Sequence, residues 1–367
     1  MERDYHLAFS LTNGIGPKSF LTLYRYFKSA QKAWNATPEE LKNSGLKEFQ
    51  INKLTEFKKE FNLKEYKEKL KQKKVSFVAL CDRDYPKLLA QISNPPIVLF
   101  VKGDISKIDF EKAIGIVGTR KITNYGREVT EIFSRDLAVN GFTIVSGLAM
   151  GVDAQAAWSA IEAGGKTIAV LGNGVDLCFP TSNQKLYDKI LEGNGVIISE
   201  FPLGQSPIPG SFPSRNRIIA GLSLGVLVTE GAQDSGSLIT AEYAFKFNRK
   251  VFAIPGPITS SLSVAPLRLI EKGAKLVTSA DDILKELKLN SPFNNHKKEK
   301  LDTLGTMGKL SKIEIKVIKA LENEPLHFDE IVRVLNINAS GLAETISLLE
   351  VKGLIKPSGG GYYKLSL

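Results

Sequence analysis

Apolar positions along the chain change their period twice, and each change marks a boundary. Residues 1–74 place them at helical spacing, as in Phe20-Leu21-Leu23-Tyr24-Phe27 and again from Leu63 to Leu70. From Val75 onward the pattern becomes short β-branched runs separated by helical stretches. Six runs are clear, at 113–117, 142–145, 167–171, 196–199, 226–229 and 251–254, with helices such as 126–140 and 153–163 between them. Strands alternating with helices at this spacing predict an α/β domain over 75–289, a doubly wound and mostly parallel sheet covered on both faces. Residues 290–309 have no apolar period and carry a Lys run, which predicts a flexible linker. Beyond it, helical segments at 311–323, 328–335 and 340–352 precede two short strands, 354–357 and 362–365, joined by a Ser-Gly-Gly-Gly turn. Three helices and a terminal hairpin over 310–367 predict a winged helix, whose third helix here carries Glu344 and Glu350 against Lys352.

Composition adds limits. The 367 residues are 43% hydrophobic and 24% charged, as in a globular protein. No apolar run has the length of a membrane span, and MERDYHLAFS lacks the order of a signal peptide, so a cytoplasmic location is expected. Cys81 and Cys178 lie far apart and read as small hydrophobes, not a disulfide or metal pair. The net charge of +10 is uneven: residues 1–80 hold 16 Lys/Arg against 9 Asp/Glu, whereas 81–290 hold 22 against 21. A basic balance suits an anionic partner, but lysines on an amphipathic helix also simply solvate a face. In the helical segment, Asn13-Gly14-Ile15-Gly16-Pro17 before a helix has the form of a helix-hairpin-helix turn that can offer N–H groups to a phosphate. A plain tight turn between packed helices accounts for it equally well.

The strand ends are more informative, because ligands of a parallel sheet sit outside its carboxyl edge. Gly118-Thr119-Arg120, Ser146-Gly147, Gly172-Asn173-Gly174, Gly231 and Pro255-Gly256 all follow strands. Glycine lets backbone N–H groups approach an anion, and a following helix adds its dipole. Five such turns on one rim, with Arg120 in the first, favour a binding surface. Two further runs suit phosphate: Phe212-Pro213-Ser214-Arg215-Asn216-Arg217, expected ahead of a helix at 218–221, and Asp234-Ser235-Gly236-Ser237, expected to lead into a helix at 241–247. Arg215 or Arg217 could instead pair with Glu200 or Glu230.

Enzyme signatures fall away when tested. GIVGTR with Ser146-Gly147 ending the second strand lacks the GxGxxG turn and the acidic residue of a dinucleotide site. Gly165-Lys166-Thr167 precedes a strand, so it is not a Walker A turn, and Gly221-Leu222-Ser223-Leu224-Gly225 runs from helix to strand, the reverse of a nucleophile elbow. The three histidines, His6, His296 and His327, lie outside the α/β segment, which argues against a His-dependent nucleophile or metal centre there. Asp153, Glu200, Glu230 and Glu242 fall near the rim, where helix caps and structural ion pairs account for them. No catalytic residue, cofactor or metal is expected.

The ordered series GIVGTRKITNYG, IVSGLAMGVDAQAA, KTIAVLGNGVDLCFP, IISEFPLG, FPSRNRIIAGLS, DSGSLITAEYA and KVFAIPG resembles the DNA-processing family called DprA or Smf. The resemblance implies a Rossmann-like domain, with a helix-hairpin-helix (SAM-like) N-terminus and a winged helix. It implies a homodimer that binds and protects single-stranded DNA and loads a RecA-type recombinase in natural transformation, with no catalytic activity. Carried over by motif, the strand would be held by Gly118, Thr119, Arg120, Ser146, Gly147, Arg215, Asn216, Arg217, Ser235, Gly236 and Ser237, with Asn173 on the same rim. The chain departs from the family at Met150, where an arginine is usual, and at Ala157-Trp158, where Ala-His is usual. A second reading is a nucleotide-cleaving hydrolase of the related phosphoribohydrolase group, with Glu242 as its acid, although the PGGxGT turn of that group is missing. A third is a purely protein-binding adaptor.

Overall fold

The structure is a computed structural model describing residues 1–289, 310–322 and 324–366. It divides into two compact units, Met1–Ser291 and Pro292–Leu367.

The first unit opens with α1 (Glu2–Leu11), α2 (Pro17–Phe27), α3 (Ala30–Asn35), α4 (Pro38–Asn43), α5 (Glu48–Glu60) and α6 (Leu63–Gln72). Pro17 starts α2 where no backbone N–H is needed, and Lys28 ends it in the left-handed region at φ 58°. The sheet follows: β1 (Val75–Ala79), β2 (Val98–Gly103), β3 (Ala113–Val117), β4 (Thr143–Ser146), β5 (Lys166–Val170), β6 (Gly195–Ser199), β7 (Gly225–Val228), β8 (Lys250–Ala253) and β9 (Lys275–Leu276). Interleaved are α7 (Lys87–Ala90), α8 (Asn124–Val139), α9 (Val152–Glu162), α10 (Gln184–Lys189), α11 (Ser211–Leu222), α12 (Gly236–Lys246), α13 (Val264–Glu271) and α14 (Ala280–Glu286).

The strand order is β1-β2-β6-β5-β4-β3-β7-β8-β9. From β6 through β9 every pairing is parallel, while β1 and β2 join β6 as an antiparallel edge. Each of the six expected strands is present, β3 at its expected bounds and the others within one residue at each end; the antiparallel edge and β9 are additional. Every residue of β3, β4, β6 and β7 is buried, as a strand covered on both faces must be. Ile218, Ile219 and Leu222 of α11 and Ala241 and Ala244 of α12 cover one face. Phe133 and Leu137 of α8, Ala156 and Ala160 of α9, and Ile283 of α14 cover the other. The N-terminal helices share a third core with the sheet, in which Leu7, Phe20 and Leu23 pack with Val98, Phe100 and Ile197.

Two helix starts differ from expectation, and both matter for the site. The helix expected at 218–221 begins at Ser211, so Arg215, Asn216 and Arg217 lie inside α11 and not ahead of it. Pro213 is tolerated because it falls in the first turn, where N–H groups lack intrahelical partners. The helix expected at 241–247 begins at Gly236, because the Ser235 side chain caps it by accepting from Ser237 N–H.

The second unit holds helices Lys312–Ala320, Phe328–Leu335 and Ala339–Val351 with strands β10 (Leu326–His327), β11 (Ile355–Gly359) and β12 (Tyr362–Leu365). Its core joins Val317, Ile331, Leu342, Ile346 and Ile355. This is the winged helix that the pattern predicts. The expected linker at 290–309, with His296, lies outside the described residues, as does Asn323.

Candidate nucleic-acid interface

In the strand order, β4, β5 and β6 run to one side of β3, whereas β7 and β8 run to the other. Beyond the carboxyl ends of β3 and β7 the flanking loops diverge, which is where open α/β sheets place ligands. A cleft of about 620 Å³ lies there, lined by Gly118, Thr119, Arg120, Arg215, Asn216, Ser235, Gly236 and Ser237 among others.

Glycine is required at Gly118, where a Cβ would fall 2.6 Å from Val152 Cγ2 and 2.8 Å from Glu230 O. The loop is pinned from below. Thr119 N–H donates to Glu230 O at 2.8 Å, and the Glu230 carboxylate accepts from Thr123 N–H at 3.0 Å and from Thr123 Oγ1 at 2.6 Å. Glu230 thus ties the β3–α8 loop to β7. Arg120, next along that loop, is exposed, with its guanidinium 5.7 Å from the centre of the Phe212 ring.

Across the cleft, α12 presents its N-terminus. Ser235 Oγ lies 2.8 Å from Ser237 Oγ, and Asn216 Nδ2 donates to Gly236 O at 3.2 Å, which fixes α11 against the start of α12. The positive end of the α12 dipole therefore opens into the cleft that Arg120 also lines. Phe179 and Phe212 also line the cleft, their ring centres 5.7 Å apart, and Phe179 is 41% exposed.

The other candidates sit deeper. Arg215 is only 5% exposed at the cleft floor; it donates to Gly147 O at 2.7 Å and also to Val170 O. Burial lowers its pKa to about 10, against the support of Asp153 and with Arg120 adding repulsion. Asp153 accepts from Gly147 N–H at 3.0 Å; burial pushes its carboxyl up and Arg215 pulls it back. Arg217 does not line the cleft: its Nη2 donates to Glu200 Oε2 at 2.6 Å, with side chains 5% and 13% exposed. Ser146 Oγ donates to Ile116 O at 2.7 Å, and Asn173, 1% exposed, donates to Gly174 O and Leu177 O. Ser146, Gly147, Asn173 and Arg217 are therefore outside the cleft lining, with Gly147 accommodating the Arg215 guanidinium because a Cβ there would come within 2.3 Å of it.

Sequence reasoning assigns Phe179 and Phe212 no role of their own. Their signal was present, in the CFP and FPSRNR strings at the ends of rim motifs, but an apolar ring beside proline reads equally as core. Elsewhere, the Asn13–Pro17 turn lines a cavity of about 610 Å³ shared with Glu200, Phe201 and Gln205, and no Lys or Arg is among its described lining residues. Glu242, on which the hydrolase reading depends, is exposed on α12 and does not line the cleft. Among the described residues no cluster of three or more His, Cys, Asp or Glu could hold a metal, and no helix is long and apolar enough to cross a membrane.

Fold and cleft together define a Rossmann-type α/β protein with an anion-suited rim at its switch point and a C-terminal winged helix. The chain belongs to the DNA recombination-mediator protein A family, whose model matches residues 76–288, and the DprA winged helix domain matches 308–361. Protein Smf of Synechocystis is 36% identical over 99% of this chain and 98% of its own length. The DNA processing protein DprA of Streptococcus pneumoniae superposes with a TM-score of 0.68 at 34% identity, covering 77% of this chain and 97% of that one. DprA from Helicobacter pylori, described for its single-stranded DNA binding mode, superposes at 0.52 with 33% identity, covering 58% of this chain and 95% of that one.

Proposed function

We propose that the cleft holds the backbone of single-stranded DNA, and that the protein protects the strand and loads a RecA-type recombinase onto it. On this reading it acts as a homodimer in the cytoplasm, in natural transformation or homologous recombination. The work is binding and delivery, with no covalent step and no cofactor. The observation that carries the reading is the exposed Arg120 guanidinium lining the same cleft as the N-terminus of α12, on a loop that Gly118 seats tightly against Val152 and Glu230. Phe179 and Phe212 favour a single strand over a duplex, because only unstacked bases can lie on aromatic rings. The single-stranded DNA binding of the Helicobacter pylori relative supports the same choice.

The test is a titration of the full-length protein with single- and double-stranded oligonucleotides at several salt concentrations. Binding that favours the single strand and weakens steeply as salt rises is expected, since phosphate contacts release counterions. A salt-independent affinity, or equal affinity for the duplex, overturns the proposal. Recombinase delivery is read separately, as faster filament assembly on strands pre-bound by this protein, and the dimer by solution mass.

A further inference from the structure

Beside the main cleft, the start of α8 and the outer side of α9 enclose a second cavity of about 420 Å³, and Arg120 lines both. The wall between them is stiff. Val152 N–H donates to Thr119 O at 3.1 Å, and a Cβ on Gly151 would fall 2.3 Å from that same oxygen, so α9 begins in direct contact with the Arg120 loop.

Arg120, Lys121 and Arg127 line the second cavity, all three exposed, and no Asp or Glu is among its described lining residues. An anion entering this cavity therefore meets three cations and no lining carboxylate, which favours its binding. Arg127 Nη1 donates to Gln155 Oε1 at 3.4 Å, and Gln155 Nε2 donates to Ser159 Oγ at 3.0 Å, which holds one polar wall in place. The same helix adds an apolar element: Trp158 lines the cavity, half-buried against the core, with no ring partner among the described residues. An indole flanked by cations suits a nucleobase followed by a phosphate.

We infer that this cavity is a second nucleotide subsite, in which the strand leaving the cleft past Arg120 lays a base on Trp158 while Lys121 and Arg127 hold its phosphate. The inference rests on the cleft binding single-stranded DNA and extends the path of that strand by one wall of α9.

Indole emission provides a direct readout, because the chain has two tryptophans and Trp34→Phe leaves Trp158 alone. Full-length protein is titrated with oligothymidylates of about 4 and about 12 nucleotides, following emission and, with labelled strands, anisotropy. The longer strand is expected to quench Trp158. Trp158→Ala is expected to weaken the longer strand about tenfold and the shorter one little, while Trp158→Phe keeps the affinity. Tight binding of the longer strand with unchanged emission and wild-type affinity in Trp158→Ala overturns the subsite and leaves the cleft reading standing. Equal weakening of both strands also overturns it, since Trp158 would then act through the fold. Absence of binding by the wild-type protein overturns both readings.

Discussion

Arg120 stands in the cleft on a loop held from beneath by Glu230, so its loss removes charge from the rim and, of packing, only an exposed contact with the Phe212 ring. Arg120→Ala is therefore expected to stay within about 0.5 kcal/mol of wild-type stability. It should weaken single-strand binding alike for all sequences and lower the salt slope by about one, as read in titrations at several ionic strengths. A loss confined to one sequence would mean that Arg120 reads bases. Arg217 predicts the opposite pattern. It is buried against Glu200, whose carboxyl burial pushes up and Arg217 pulls down, so Arg217→Ala leaves an unpaired charge inside the protein. The expected cost is about 3–5 kcal/mol, visible as a lower urea midpoint. Sequence placed Arg215 and Arg217 on the rim because both follow FPS and both are basic. It left a pairing of one of them with Glu200 or Glu230 open, and what decides it is the helix beginning at Ser211, which turns Arg217 toward Glu200 and seats Arg215 under Gly147. Arg120 was legible because a short glycine turn after a buried strand leaves its side chain few places but the rim.

Among the elements, the parallel strands were legible for the same reason that they are stable: runs such as AIGIV are apolar on both faces and end in glycine. The antiparallel edge was not, because β1 is a single five-residue run with no helix of usual length after it, and β2 lies beyond a proline-rich loop. Helix starts were misplaced where serine or glycine, weak helix formers, carry the first turn of α11 and α12. The cap of α14 shows how such a turn is secured and gives a pH prediction. Asp282 accepts from Thr278 N–H at 2.9 Å and from Ser279 N–H at 3.0 Å, and the Thr278 bond foremost holds its pKa below the usual carboxylate value. A depressed folded pKa contributes stability that is complete above the unfolded value, about 3.9, and is lost as pH falls through the folded one. Asp282→Asn is thus expected to lower the thermal midpoint at neutral pH. The gap to wild type should close as pH falls below about 4; a gap constant down to pH ~2 would mean that the bonds do not need the charge.

For the molecule as a whole, the net charge of +10 is a poor guide to where an anion binds. Residues 81–290, which build the cleft, carry 22 Lys/Arg against 21 Asp/Glu, while residues 1–80 carry 16 against 9. If binding followed bulk charge, the N-terminal helices would dominate it, yet the cavity at their hairpin turn has no Lys or Arg among its described lining residues. A local rim with one exposed arginine and a helix N-terminus instead concentrates a modest number of phosphate contacts in the α/β unit. The winged helix is expected to add little to strand binding. Its third helix, Ala339–Val351, bears Glu344 and Glu350 and no Lys or Arg, and carboxylates repel a phosphate backbone. Alongside exposed lysines such as Lys316 and Lys356, the unit exposes apolar side chains, Val351 at 88%, Val334 at 68% and Leu348 at 48%, which suit protein contact. A chain ending at Leu289 is therefore expected to bind single-stranded oligonucleotide with the affinity and salt slope of the full chain. A salt slope shallower in the shortened chain, by about one for every phosphate it no longer neutralises, would instead put the winged helix on the DNA.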